Sequence, residues 1–234
     1  MLSLLAQIQF KERKGETCEA KNGFCPDWIA DNWDRYVDPF WQHVFLTVTA
    51  VAIGFVLAFA LALLAHRKRW LIPPLSGGAQ ILYGIPSVAL FLLLLPLTGR
   101  GNTTALIALV SYTLIFIFVN VTVGLDGVPD DSVDAARGMG LTERQLLWRV
   151  EVPLALPEIF AGLRIAATTT VGLAALAFFA GAGGLGEEIY ADIGFKSNVA
   201  VAGGLAILLA VVLDLAILGA QRAMTPWRRA AAAR

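Results

Sequence analysis

Charge is scarce in this chain. Of its 234 residues, 15% are Asp, Glu, Lys or Arg against 57% hydrophobic, and eighteen basic residues balance eighteen acidic ones. A formal net charge of zero lacks the basic footprint of a nucleic-acid binder, so no nucleic-acid partner is expected. There are two histidines, His43 and His66, and two cysteines, Cys18 and Cys25. Neither histidine has Cys or His neighbours at ligand spacing, and two cysteines fall short of the four ligands of structural zinc. A metal centre and a catalytic constellation are therefore not expected, and both histidines read as solvated interfacial residues flanking apolar runs. No Gly-x-x-x-x-Gly-Lys-Ser/Thr occurs, so the chain is not expected to bind ATP itself. Gly181, Gly183 and Gly186 fit Gly-x-Gly-x-x-Gly, yet they follow an apolar helical run with no strand–helix alternation around them. That context excludes a dinucleotide site and leaves a glycine-rich turn.

What the chain has in quantity is long apolar sequence. A mean hydropathy of +0.69 indicates an integral membrane protein rather than a soluble domain with a large core. Five runs are near the roughly 20 residues that cross a bilayer as a helix: about 44–65, 75–97, 103–125, 159–182 and 199–220. Helices satisfy their own backbone groups in lipid, so the expected fold is all-α and polytopic, with five core transmembrane helices. Basic residues cluster after the first run (Arg67, Lys68, Arg69), through the central loop and its exit (Arg137, Arg144, Arg149, Arg164) and at the end (Arg222, Arg228, Arg229, Arg234). The alternate short loops carry only Arg100 and Lys196. The positive-inside rule then puts the N-terminus outside and the C-terminus inside.

Residues 1–43 form an extracytoplasmic N-terminal segment in this reading, 44–220 the membrane domain and 221–234 a cytoplasmic tail. Met1–Phe10 is too short to cross, and Lys11, Arg13 and Lys14 follow it instead of preceding it, which argues against a cleaved signal peptide. It reads as an interfacial segment. Cys18 and Cys25 enclose a short loop; outside the cytoplasm a disulfide would close it, inside two free thiols are the default. The orientation places the pair outside. Trp28, Trp33, Tyr36, Phe40 and Trp41 crowd the approach to the first run, as aromatics do at a membrane interface.

The polar loop at 126–158 organises the rest. Pro129 suits a first helical turn, with Asp130, Asp131 and Asp134 near the positive helix end. Ala135, Ala136 and Gly138 leave a surface bare of bulk, Gly140 can take the left-handed conformation that ends a helix, and Thr142 with Gln145 has capping-box spacing. Pro153 and Pro157 are expected to close the second segment. A smooth knob flanked by Arg137, Arg144 and Arg149 suits docking into a groove on another protein; an ordinary amphipathic surface helix fits the spacing as well.

Asp134-Ala135-Ala136, Gly140, Val150, Val152 and Pro153 resemble the EAA loop of the membrane-spanning subunits of type I ATP-binding-cassette importers: Glu-Ala-Ala, three residues, Gly, nine residues, Ile-x-Leu-Pro. Asp stands for Glu, and Val for Ile and for Leu. The resemblance implies the type I importer permease fold and an ATPase-coupling role for Asp134, Ala135, Ala136, Gly140, Val150 and Pro153. It also implies a cytoplasmic ATP-binding subunit that holds ATP and Mg, with no cofactor in this chain. A second permease copy or homologue, surrounding membrane lipid and a bacterial or archaeal cytoplasmic membrane belong to the same picture. Since the chain stops soon after the fifth run, the extracytoplasmic solute-binding protein is expected to be separate. Gln80–Ser87, residues 141–161 and Gly181–Gly186 further resemble permeases for glycine betaine, carnitine and choline, over about residues 45–220. Methionine and sulfonate permeases share much of that architecture.

Candidate path-lining residues are Tyr83, Pro86, Ser87, Tyr112, Asn120 and Thr169, although Ser and Thr in membrane helices more often bond to backbone carbonyls. Gly84 and Pro86 mark a kink whose freed backbone groups need partners. Asp214, inside the fifth run, calls for an ion pair with Arg164 or Arg222; a proton-coupling role is the alternative. A quaternary ammonium solute favours an aromatic cage, and none is evident in the spans. Glu187 and Glu188 read as a solvated outer acidic face. The rival readings are an ion-coupled secondary transporter, against which the lack of paired broken helices argues, and a non-transporting scaffold.

Overall fold

The structure is a computed structural model and describes residues 18, 19 and 22–227. The interfacial segment expected at Met1–Phe10, with Lys11, Arg13 and Lys14, lies outside the described residues, as do Arg228, Arg229 and Arg234. Every regular element among the described residues is helical. In chain order these are α1 (Pro26–Asp31), a 3-10 turn (Trp33–Tyr36), α2 (Val37–Arg67), a second 3-10 turn (Arg69–Leu71), α3 (Ile72–Gly84), α4 (Ser87–Thr98) and α5 (Asn102–Asp126). Then come α6 (Asp130–Gly138), α7 (Glu143–Leu146), a π-turn (Leu147–Glu151), α8 (Val152–Ala174), a 3-10 turn (Ala177–Ala180), α9 (Leu185–Ala191) and α10 (Lys196–Met224).

Helix α5 is the centre of the bundle, packed against α2, α8, α3 and α4, while α10 lies outside on α8. Close approach is made at small residues. A Cβ on Gly54 of α2 would fall 1.8 Å from Thr113 Oγ1 of α5, and one on Gly162 of α8 would fall 2.6 Å from Asn120 Cβ and 2.9 Å from the Phe116 carbonyl oxygen. Small residues let membrane helices bring backbones together where lipid offers no hydrophobic drive for association. Two buried clusters result. One is built on Leu46, Phe91, Leu109 and Tyr112, the other on Ile117, Phe118, Val121 and Ile159.

Neither histidine is simply solvated: His43 is fully buried and His66 is partly buried, and they tie α2 to α8 and to the π-turn that leads into it. His43, at one end of α2, is fully buried with Nε2 3.0 Å from the Val171 carbonyl oxygen. His66, at the other end, has Nε2 3.3 Å from Glu151 Oε2. Each closes on a polar group at an end of α8, a partner that no local sequence window contains. The intervals 43–66 and 151–171 span about 34 and 30 Å at 1.5 Å per residue, so α2 and α8 run antiparallel over a length close to that of one bilayer core.

By length and composition three helical stretches suffice to cross a membrane, Trp33–Arg67, Asn102–Asp126 and Lys196–Met224, or four if the bent pair Arg69–Gly84 with Ser87–Thr98 counts as one span. Five such helices are thus not established. The second expected run is broken at Ile85–Pro86 with a bend of 97°. The fourth expected run ends at Ala174 instead of 182, because Ala177–Ala180 forms a separate 3-10 turn ended by Gly181 in the left-handed region.

Candidate coupling loop and translocation path

The loop between α5 and α8 is assembled from local capping chemistry. Pro129 precedes α6, with Asp130 and Asp131 in the first turn. At its other end Gly140 has φ +80°, its N–H donates to the Arg137 carbonyl (2.9 Å), and the Leu141 N–H donates to the Ala136 carbonyl (3.2 Å). This pair of bonds is the Schellman closure, which glycine makes without a Cβ penalty. Thr142 then opens α7 with a reciprocal capping box: Thr142 Oγ1 accepts from the Gln145 N–H, and Gln145 Oε1 accepts from the Thr142 N–H.

Two expectations about this loop need correction. Ala136 is not on the bare surface but buried beneath α6; the exposed knob is Asp134, Ala135, Gly138 and Met139, the last 74% exposed. Pro153 and Pro157 do not close the second segment. Pro153 sits in the first turn of α8 and Pro157 inside it, and α7 runs on through the π-turn containing Val150. A π-turn loosens the helix just where a proline lacks its donor and needs room for its ring. The loop therefore feeds into α8 as one continuous rod.

Beneath the loop is a polar cavity of about 860 Å³ lined by residues that include His66, Arg69, Asp126, Arg137, Glu143 and Glu151. Arg69 reaches Asp126 (3.6 Å), Arg137 reaches Glu143 (3.3 Å), and His66 lies between Glu151 and Asp126 (3.3 and 3.9 Å). The sequence reading missed His66, Asp126 and Glu151. The usable signal was that the ends of the first and third runs fall on the same side as the loop.

The candidate path residues separate into two groups. Tyr83, Pro86, Ser87 and Tyr112 meet around the break between α3 and α4. Tyr112 Oη donates to the Ile85 carbonyl at 2.6 Å, satisfying a group that the break frees. The Tyr83 ring lies edge-to-face on Tyr112 and Phe116, with centroids 5.9 and 5.1 Å apart, and is 45% exposed. The spans thus do contain an aromatic cluster. It was invisible in sequence because one ring comes from α3 and two from α5. Asn120 lies elsewhere, its side-chain amide donating to the Phe116 carbonyl (2.8 Å) where Gly162 packs. Thr169 is half-buried on α8, and no hydrogen bond among the described residues joins it to the Tyr83 group. Ser111, Thr113, Thr168 and Thr170 all donate to carbonyls of their own helices. Asp214 of α10 accepts both guanidinium bonds of Arg164 on α8 at 2.7 and 2.8 Å. On the opposite side of the bundle from the loop, Glu188 is not simply solvated but pairs with Arg35, and Cys18 and Cys25 are joined in a disulfide.

An all-helical bundle with membrane-length apolar helices and an exposed, capped loop at one end defines a multi-pass membrane protein. Residues 43–229 match the family described as binding-protein-dependent transport system inner membrane component, and the chain belongs to that family. It is 38% identical over 206 residues to the osmoprotectant import permease protein OsmW of Salmonella typhimurium, covering 85% of this chain and 96% of that one. It is 32% identical to the carnitine transport permease protein OpuCB of Listeria monocytogenes, over 80% of this chain and 86% of that one. The choline transport system permease protein OpuBB of Bacillus subtilis is 31% identical over 80% of this chain and 87% of its own length. Among solved structures, an inward-facing form of the MetNI methionine ABC transporter matches with a TM-score of 0.73 at 26% identity, over 81% of this chain and 95% of that one.

Proposed function

We propose that this chain is the membrane-spanning subunit of an ATP-driven importer for small quaternary ammonium osmoprotectants of the glycine betaine, carnitine and choline type. Relatives bearing those names over most of the chain support the solute class. The observation that carries the mechanism is the continuity of the exposed, doubly capped loop with α8. A partner pressing on Ala135 and Gly140 displaces a rod whose far end is bonded to His43. A cytoplasmic ATPase that closes on ATP and Mg would draw two such loops together, in a pair of permeases, and turn the cavity between them outward. A separate binding protein then delivers solute, and hydrolysis returns the cavity inward.

The break at Ile85–Pro86 supplies the path. Its aromatic cluster offers π faces to a cation, with exposed Tyr83 as the first contact. The loop side is cytoplasmic and the N-terminal segment outside, a reading that the arginines of the loop support. The likeness to a methionine transporter favours an amino-acid solute as the second reading.

Copurification tests the assignment. A C-terminally tagged chain, extracted gently from native membranes, should bring down an ATPase bearing a Walker A sequence. Ala135→Arg, which adds bulk at an exposed position without backbone strain, and Gly140→Glu should lose it. Absence of an ATPase from the wild type in several mild detergents overturns the proposal. Solute binding by the accompanying binding protein decides between quaternary ammonium and amino acid.

A further inference from the structure

Residues 18, 19 and 22–42 precede the part of the chain that matches the family, yet several of them bond to residues 188–198. Helix α10 begins without a side-chain cap of its own. Its first donors and side chains are met instead by the loop that the Cys18–Cys25 disulfide closes. Asn22 Oδ1 accepts from the Lys196 N–H (3.0 Å), Ser197 Oγ donates to the Gly23 carbonyl (3.1 Å), and the Cys25 N–H donates to Ser197 Oγ (2.8 Å). Asn22 makes its contact from a positive φ of 50°, a conformation Asn tolerates better than most residues.

The segment continues the attachment. Trp28 packs edge-on against Phe195, with centroids 4.7 Å apart, and Arg35 pairs with Glu188. Buried Tyr36 donates to Asn198 Oδ1 (2.8 Å), while Asn198 Nδ2 donates to the Glu188 carbonyl (2.6 Å). Tyr36, Leu185 and Ala202 share one buried cluster, so α9, α10 and the start of α2 are joined through this segment.

We propose that residues 18, 19 and 22–36 form a disulfide-dependent strap that caps α10 and binds α9, α10 and the start of α2 into one body at the end of the bundle opposite the coupling loop, and that reduction releases it. Helix α1 and the 3-10 turn are too short to persist by local propensity, so their order depends on this closure. Cys18 is exposed, which leaves the bond open to a soluble dithiol. The dithiol gives up two electrons and two protons, the S–S bond opens to two thiols, and the reductant closes to its own disulfide. Without the ring, Asn22, Gly23 and Cys25 are no longer held in register with Lys196 and Ser197.

Amide hydrogen exchange on the purified full chain, before and after dithiothreitol, tests the strap independently of orientation, solute or partner. After reduction, with two free thiols counted, exchange across 185–199 should rise at least tenfold while 143–151 is unchanged. Ser197→Ala with the disulfide intact should raise exchange over the same stretch, and Cys18→Ser/Cys25→Ser should match the reduced wild type. No change at 185–199 after complete reduction overturns the proposal. So does an equal rise in the coupling loop, which would mean general loosening.

Discussion

Arg164 and Asp214 are the one bidentate ion pair among the described residues, and it joins α8 to the mostly unburied α10. A lone ionised group within a membrane helix costs on the order of 3 kcal/mol near its centre, so either partner alone is worse than both or neither. Asp214→Asn and Arg164→Met should each lower thermal stability in detergent, and the double variant should lose less than the sum. The coupling is expected to be on the order of 1 kcal/mol or more. If instead Asp214→Asn leaves melting unchanged and abolishes uptake, Asp214 carries a proton rather than a structural bond. The histidines show a different residue-scale lesson. His43 and His66 read as interfacial because sequence shows what flanks a residue along the chain, whereas the groups they bond, Val171 of α8 and Glu151 of the π-turn before it, lie more than eighty residues away.

At the scale of elements, punctuation was legible and continuity was not. Thr142 with Gln145, and Gly140 with its positive φ, follow from short-range backbone chemistry, and the structure places a capping box and a Schellman closure there. The break in the second run was marked by Gly84 and Pro86 for the same reason. Pro153 misled because a proline normally stops a helix, while a π-turn immediately before it absorbs the missing bond. That correction has a consequence for coupling. If α7 and α8 act as one rod, softening the π-turn should disconnect the loop from the bundle without removing its docking surface. Trp148→Gly weakens the helix within the π-turn by about 1 kcal/mol relative to Trp148→Ala, which removes the same side chain and leaves the docking residues in place. In the assembled importer, reconstituted in vesicles, the glycine variant should keep ATP hydrolysis within about twofold of wild type and lower uptake tenfold or more. Uptake that stays proportional to hydrolysis would mean that α8 transmits nothing through this turn.

For the whole molecule, the expected five spans depend on α8, a helix that length and composition alone do not qualify as a span. Its arginine is answered within the bundle, Arg164 by Asp214 of α10, and the Cβ of Glu158 packs at Gly124 where α8 meets α5. Its 23 residues span about 34 Å at 1.5 Å per residue, enough to cross a bilayer core, and α2 meets it through His43 at Val171 and through His66 at Glu151 just before its start. A polar helix can cross when its partners are internal, so packing outweighs mean hydropathy here. Sided labelling checks this. In a Cys18→Ser/Cys25→Ser background, Tyr190→Cys lies beyond α8 and Met139→Cys before it, and both positions are exposed. In intact cells a membrane-impermeant maleimide should label position 190 at once and position 139 only after permeabilisation. Labelling of both in intact cells, or of neither, would place them on one side and make α8 a surface helix; the loop would then no longer be the end of a rod that reaches across the bilayer. Labelling of position 139 alone would keep the crossing and invert the orientation, putting the arginine-rich loop outside against the charge pattern that placed it in the cytoplasm.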